Sequence, residues 1–317
     1  MAAIVTITFN PALDKSVSVA QLVSERKLKC SVPVYEPGGG GINVARAIKK
    51  LGGEAVAMYM GGGSAGAMIA ELLSEDGVAS IAIARKASTR ENLIVTDLGT
   101  SKQYLFDMPG SPVLENEWRE CLASLEKLNV LQYIVVSGSM PGGLPADIFQ
   151  RLARIALQKN ARLIVDTSGE ALRQAVEAGV YLVKPNLKEL GTLARKDEPT
   201  VDDAVKIARQ VISEYPVEVV VVSLGAMGAA LVTGQFAITI SPPDVKVAST
   251  VGAGDSLVGG IVYYLSLGKD LVDAVKFGVA CGSAATLNFG TELCTKADAE
   301  RIYQAVQASG QVLCDQS

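Results

Sequence analysis

One carboxylate stands in the segment of the chain best suited to hold a negative charge. Thr250-Val251-Gly252-Ala253-Gly254-Asp255-Ser256 is a glycine-rich turn. It runs into Leu257-Val258-Gly259-Gly260-Ile261-Val262-Tyr263-Tyr264-Leu265, an apolar stretch with helical spacing. The first amides of a helix have no partner inside it, and the helix dipole favours an anion at that end. Glycine lets the backbone approach a phosphate without a Cβ in the way. Asp255 in such a place has two readings. It caps the helix, or it is a base that takes the proton from a hydroxyl attacking a phosphate.

Four further groups of residues could serve the same chemistry. In Pro37-Gly38-Gly39-Gly40-Gly41-Ile42-Asn43-Val44-Ala45-Arg46, four glycines precede a helix. Asn43 in its first turn can bond a sugar hydroxyl, although a glycine run also suits a hinge. Leu182-Val183-Lys184-Pro185-Asn186-Leu187-Lys188-Glu189 follows a strand and opens a helix. Asn186 and Glu189, three apart, share a face. They suit hydrated Mg²⁺, which keeps several of its waters, and equally a capping box. Val222-Ser223-Leu224-Gly225-Ala226-Met227-Gly228-Ala229 joins two strands and suits a nucleotide edge or an ordinary turn. Asp14, Lys27 and Arg90 are scattered charges. Arginine favours bidentate contact with phosphate, but these three act together only if the fold gathers them.

The composition narrows the chemistry. The chain has no histidine, so proton transfer falls to a carboxylate, lysine, tyrosine or cysteine, and Ser-His-Asp and Cys-His triads are excluded. Cys30, Cys121, Cys281, Cys294 and Cys314 are odd in number and form no CxxC pair. That pattern suits reduced thiols in a cytoplasmic protein. The net charge of −4 and the lack of a basic tract argue against nucleic acid or an anionic membrane as partner. The N-terminus lacks a basic n-region with a long apolar core. Val217 to Val232 is broken by Glu218, Ser223 and glycines, as strand–turn–strand and not as a membrane span.

The 317 residues, 49% apolar, suffice for one large core. Short β-branched runs alternate with helical stretches. Strands are expected at Ile4–Thr8, Ala55–Met60, Tyr133–Ser137, Leu163–Asp166, Tyr181–Lys184, Val219–Ser223, Ala229–Val232 and Ala237–Ile240. Helices are expected at 42–51, 65–75, 145–159, 189–194, 201–215, 256–267, 271–287 and 297–308. This order implies a mainly parallel sheet covered on both faces. Two stretches break the rhythm with alternating residues, Ser16–Tyr35 and Thr89–Met108. They read as strands of a small antiparallel sheet inserted between α/β units, placed to cover a cleft as a lid does or to serve as plain surface hairpins. Gly310–Ser317 reads as a frayed tail.

Three of these motifs, by their order along the chain, resemble the PfkB (ribokinase-like) carbohydrate kinases over nearly the whole chain. Gly38-Gly39-Gly40-Gly41-Ile42-Asn43-Val44-Ala45 is similar to that family's N-terminal signature, Thr250–Ser256 to its C-terminal signature, and Asn186-Leu187-Lys188-Glu189 to its N-x-x-E motif. Thr8-Phe9-Asn10-Pro11-Ala12-Leu13-Asp14, Glu36–Gly41 and Thr89-Arg90-Glu91-Asn92 are similar to the family's sugar-phosphate branch. The resemblance implies a single domain over 1–317: a three-layer α/β/α fold with a mainly parallel sheet and a discontinuous β lid at about 15–36 and 88–108. It implies ATP-dependent phosphorylation of a ketohexose phosphate, fructose 6-phosphate first, with tagatose 6-phosphate or fructose 1-phosphate as alternatives. It implies a homodimer formed through the lid. A catalytically silent sensor of sugar phosphate or nucleotide is the reading from another class, and the intact Asp255 and Glu189 argue against it.

The resemblance also implies roles. Asp255 is the base, ionised at neutral pH if its pKa is the ordinary ~3.9. The amides of Gly252, Ala253, Gly254 and Asp255 stabilise the transferred phosphoryl. Asp14, Gly39, Asn43 and Ser139 meet the sugar, while Lys27 and Arg90 hold its phosphate. Lys184, Asn186, Ser223, Gly225, Gly228, Ser283 and Asn288 contact ATP, and Glu189 with Asn186 orders Mg²⁺ through water. Ser249, Val251, Ala285, Asn288 and Gly290 are the positions matching a monovalent cation site for K⁺. Glu292 departs from the family pattern, which favours basic or small residues there.

Overall fold

A strand such as Val-Val-Val-Val-Ser carries almost no polar residue, so it needs apolar cover on both faces, and it is buried nearly throughout. The computed structural model describes residues 4–288, 290 and 292–309. The stretch Gly310–Ser317, read above as a tail, and Cys314 within it lie outside those residues.

The chain opens with β1 (Ile4–Thr8), β2 (Ala12–Val19), β3 (Val34–Gly38), α1 (Gly40–Lys50), β4 (Val56–Gly61), α2 (Gly63–Glu75) and β5 (Ala79–Ala84). Then come β6 (Arg90–Asp97), β7 (Lys102–Phe106), α3 (Glu115–Glu126), β8 (Tyr133–Ser137), α4 (Ile148–Gln158), β9 (Arg162–Asp166), α5 (Gly169–Glu177), β10 (Leu182–Val183), α6 (Leu187–Leu193) and α7 (Ala204–Glu214). The last elements are β11 (Val219–Ser223), β12 (Ala229–Thr233), β13 (Ala237–Ile240), α8 (Ala253–Ser266), α9 (Leu271–Ala285) and α10 (Lys296–Ser309).

Nine strands form one sheet in the order β13-β12-β11-β10-β9-β8-β1-β4-β5. Its pairs are parallel except β11–β12 and β12–β13. Alternate side chains serve two cores. Tyr133 and Val135 of β8 pack with α1, α8, α9 and α10 on one face. Ile134 and Val136 pack with α3, α4, α5 and α7 on the other. The result is the three-layer arrangement expected, with α3, α5 and β5 in addition to the elements read from the sequence.

The small sheet has the order β3-β2-β6-β7. It corrects one expectation. Its outer pairs are antiparallel, but the central β2–β6 pair is parallel over Ala12–Val19 and Arg90–Asp97. The physical reason is connectivity: between β2 and β6 the chain passes through α1, β4, α2 and β5, and such a crossover returns a strand in the same direction.

The polar ends of the parallel strands gather along one edge of the large sheet, where α1 and α8 begin. Open parallel sheets bind ligands outside the carboxyl ends of their strands. The approach of α1 is close. A Cβ on Gly41 would lie 2.6 Å from the Ile7 carbonyl oxygen, and one on Gly40 2.4 Å from Ser137 Oγ. The Thr8 hydroxyl accepts the Ile42 amide at 2.8 Å and fixes the helix start. Gly41→Ala is expected to destabilise the fold by about 1–3 kcal/mol, as overpacking does, read as a lower urea midpoint with an unchanged slope.

Candidate active site

Helix α8 begins from Gly252, which holds the left-handed conformation with φ 75°. Glycine has no side chain with which to cap the helix, and Asp255 is its third residue. The capping reading of Asp255 therefore fails. Its carboxyl instead accepts a hydrogen bond from Asn43 Nδ2 at 3.0 Å, across 212 residues of sequence, at the start of α1. The amides of Gly252, Gly254 and Asp255 find no acceptor among the described residues, and that of Ala253 reaches Thr250 O only at 3.4 Å. Free donors at a helix start form an anion site.

Asp255 is not the ordinary ionised carboxylate that the sequence suggests. Burial raises it to about 7, and the nearby Asp166 adds to the rise. Asn43, Lys184 and Ser137 pull the other way and do not restore the usual value. Asp166 ends β9 and pairs with Lys184, which follows β10, at 3.1 Å. Burial pushes Asp166 up against the pull of Lys184. Burial alone would lower Lys184, but Asp166, Glu189 and Asp255 outweigh it and hold the ammonium above its usual value. Lys184 is therefore a fixed cation beside the α8 start, where a Cβ on Gly254 would sit 3.9 Å from its Nζ.

Asn186 and Glu189 do form the capping box: each side chain accepts the other's backbone amide at 2.9 Å. This uses one oxygen of Glu189 and leaves its second for other work. A parallel bridge sets Asn186 beside Ser223, and Ser223 N donates to Pro185 O at 2.9 Å. Gly225 and Gly228 frame a short 3₁₀ turn with φ of 62° and 92°. At Gly228 a Cβ would meet Ile240 O at 2.0 Å.

On the small-sheet side, register brings Asp14, Asn92 and Arg90 together. Asp14 pairs with Asn92, and Ala12 with Arg90, along β2–β6. Asn92 Nδ2 donates to Asp14 Oδ1 at 2.8 Å. Burial raises Asp14 above the usual carboxylate range, despite the opposing Asn92 bond. Arg90 donates to Met108 O at 2.8 Å and Asn10 O at 3.4 Å, and forms an ion pair with Asp107. Its Nε is buried with no hydrogen-bond partner. Asn10 also donates to Ser139 Oγ at 3.0 Å. Gly39, with φ 111°, precedes α1 beside Thr8 and Pro11. Asp14, Asn92, Asp107 and Val251 line one cavity of about 110 Å³, so the small sheet faces the turn that leads into α8.

One expected participant stands apart from the cluster, and the departing Glu292 has a partner of its own. Lys27 is exposed in the β2–β3 connection and makes no hydrogen bond or ion pair with the cluster. Glu292 faces Lys50 at 3.7 Å, so its carboxylate is spent at the end of α1. The cation-site positions do adjoin. Ser249 Oγ donates to Gly290 O at 2.9 Å, Val251 N to Ser249 Oγ at 3.3 Å, and Asn288 Nδ2 to Leu293 O at 3.0 Å. Ala285 and Ser283 close α9 just before them. No role falls to Asp166, Asn92, Asn10 or Asp107 from the sequence alone. Asn10 and Asn92 lie in motifs quoted above, Asp166 shows only as an acid at the carboxyl end of an apolar strand, and Asp107 has no signal.

A doubly covered, mainly parallel sheet, a small separate sheet and an acid among free helix-start amides define a ribokinase-like phosphotransferase. The chain belongs to the pfkB family of carbohydrate kinases, whose model matches residues 7–298. It is 43% identical to the ATP-dependent 6-phosphofructokinase isozyme 2 of Escherichia coli K12, over 96% of this chain and 98% of that protein. Identity to the isozyme 2 of Mycobacterium tuberculosis is 39%, over 99% of this chain and 92% of that one. The crystal structure of Escherichia coli phosphofructokinase-2 in complex with potassium superposes with a TM-score of 0.92, at 42% identity, covering 97% of this chain and 100% of that one.

Proposed function

We propose that the protein transfers the γ-phosphoryl group of ATP to the 1-hydroxyl of fructose 6-phosphate, giving fructose 1,6-bisphosphate and ADP. The observation that carries this reading is Asp255: an acid raised to about 7 and held by Asn43 at 3.0 Å, beside amides with no acceptor of their own. A general base works best with a pKa near the working pH. As the sugar oxygen attacks in line, its proton passes to Asp255. The charge on the transferred oxygens falls on the amides of Gly252, Ala253, Gly254 and Asp255. Lys184 adds a fixed positive charge to the same place.

Asp14, Asn43, Gly39 and Ser139 line the sugar, and Arg90 takes the 6-phosphate. Lys184, Asn186, Ser223, Gly225, Gly228, Ser283 and Asn288 bound the nucleotide. Among the described residues, no three His, Cys, Asp or Glu side chains converge to hold a metal ion. That fits Mg²⁺ arriving on the nucleotide phosphates, with the free oxygen of Glu189 and the Asn186 amide meeting its waters. The bound ion would neutralise phosphate charge. Neutral oxygens around Ser249, Val251, Ala285, Asn288 and Gly290 fit K⁺ better than a harder ion.

We further read the small sheet as a lid and as the face of a homodimer. Val34, Leu98, Tyr104, Leu105 and Phe106 are exposed on it or beside it, and such apolar patches mark association surfaces. No helix among the described residues is long and apolar enough to cross a membrane, in keeping with a cytoplasmic enzyme.

A coupled ADP-release assay across fructose 6-phosphate, tagatose 6-phosphate and fructose 1-phosphate tests the substrate. The largest kcat/KM is expected for fructose 6-phosphate, and a preference for fructose 1-phosphate would overturn the assignment. Arg90→Ala is expected to raise the sugar-phosphate KM by about ten- to a hundredfold, the scale of a lost charged hydrogen bond, with the KM for ATP nearly constant. Equal effects on both would remove Arg90 from the phosphate.

A further inference from the structure

Strand register places an acid against the arginine assigned to the phosphate. β6 and β7 pair antiparallel with Leu93 opposite Phe106. Just beyond this pair, Met108 N donates to Asn92 Oδ1 at 3.1 Å, and Asn92 projects to the same face as Arg90. Asp107 forms an ion pair with Arg90 Nη1. The arginine side chain is 11% exposed, whereas that of Asp107 is 75% exposed. The neighbouring backbone fixes the arginine without the acid, through Met108 O at 2.8 Å and Asn10 O at 3.4 Å. Asp107 also shares the cavity wall with Asp14 and Asn92. An exposed carboxylate therefore holds the Nη1 corner that a phosphate would need, while backbone carbonyls help to hold the guanidinium in place.

We infer that Asp107 is a specificity-determining residue, a built-in competitor anion that a ligand must displace from Arg90 and that only a phosphate-bearing sugar has the charge to displace. This inference rests on the reading of Arg90 as the phosphate-binding residue. A neutral sugar gains nothing from Arg90 while Asp107 occupies it. A phosphate dianion brings more charge and a bidentate match, and drives the carboxylate out toward solvent. The cost is weaker binding of the true substrate, because part of its energy goes to breaking the existing ion pair.

The test uses the full-length enzyme with Asp107→Asn, which keeps the shape and removes the charge. The KM for fructose 6-phosphate is expected to fall by about three- to tenfold, the upper part of what exposed ion pairs contribute plus relief of repulsion. The KM for ATP should stay constant. On an Arg90→Ala background, the same substitution should give a smaller gain, since the competition itself is gone. A raised KM in Asp107→Asn would make Asp107 a support for Arg90 and overturn the inference. So would an unchanged KM, or equal gains in both backgrounds. If Arg90→Ala alone leaves the sugar-phosphate KM unchanged, the phosphate-clamp reading itself has failed. If Arg90→Ala raises it and Asp107→Asn does not lower it, only the competitor role is lost.

Discussion

Asp255→Asn should turn over about 10²–10⁴-fold more slowly than the wild-type enzyme, the scale of general-base catalysis, with its KM for ATP little changed. The amide keeps the shape of the carboxyl and can still accept the Asn43 bond by presenting its oxygen, so the pocket need not rearrange. What it cannot do is take a proton. The wild-type pH profile should report the same group. With Asp255 at about 7, kcat/KM rises roughly tenfold per pH unit below that value and levels off above it, since that ratio follows the free enzyme. Near-normal turnover in Asp255→Asn would remove the residue from the base role. An acid limb near pH 4 would mean that the carboxylate is as ordinary as the bare sequence implies.

The tuning has an identifiable source. A helix start should favour the charged form of an acid, and Asn43 and Lys184 pull the same way. Burial between α1 and α8 and the proximity of Asp166 win nonetheless. Lys184 is shared: its shortest ion pair is with Asp166, at 3.1 Å, so only part of its field reaches Asp255. The Asp166–Lys184 pair thus acts on the base indirectly, one member raising it and the other lowering it.

Much of this was legible before any coordinates. The glycine run ahead of Asn43 and the turn ahead of Asp255 each set a lone polar side chain among residues that have no structural use for it. The strands read well because parallel strands buried on both faces show as continuous apolar runs. Helix α3 was missed because Glu115, Glu117, Arg119, Glu120 and Glu126 mask the stripe of Trp118, Cys121, Leu122 and Leu125 that it buries. The direction of β2 against β6 is set by connectivity, which no local pattern records. Asp107 was invisible for a related reason: its meaning depends on which residue register places opposite it. The pKa of Asp255 belongs to packing between segments 212 residues apart, and spacing along the chain cannot express that.

The same asparagine variant should melt higher than wild type at pH 8, and the difference should vanish near pH 4. An aspartate in the unfolded chain titrates at 3.8, and in the fold Asp255 titrates at about 7. Between those values the folded protein binds a proton that the unfolded chain has released. The stability tied to Asp255 is therefore fully present below 3.8 and is lost as pH rises through 7. Asparagine has no such titration, so its advantage grows across that window and is constant above it. A gap of about three units corresponds to ~4 kcal/mol at most. Solvent access and the coupling to Lys184 and Asp166 reduce this to roughly 1–3 kcal/mol, a few degrees in Tm for a chain of this size. Thermal unfolding of both proteins at pH 4, 6 and 8 decides it. An offset independent of pH would trace the change to packing and leave the raised carboxyl without support, whereas an offset that opens with pH would mean the fold gives up stability to keep its base half-charged near neutrality.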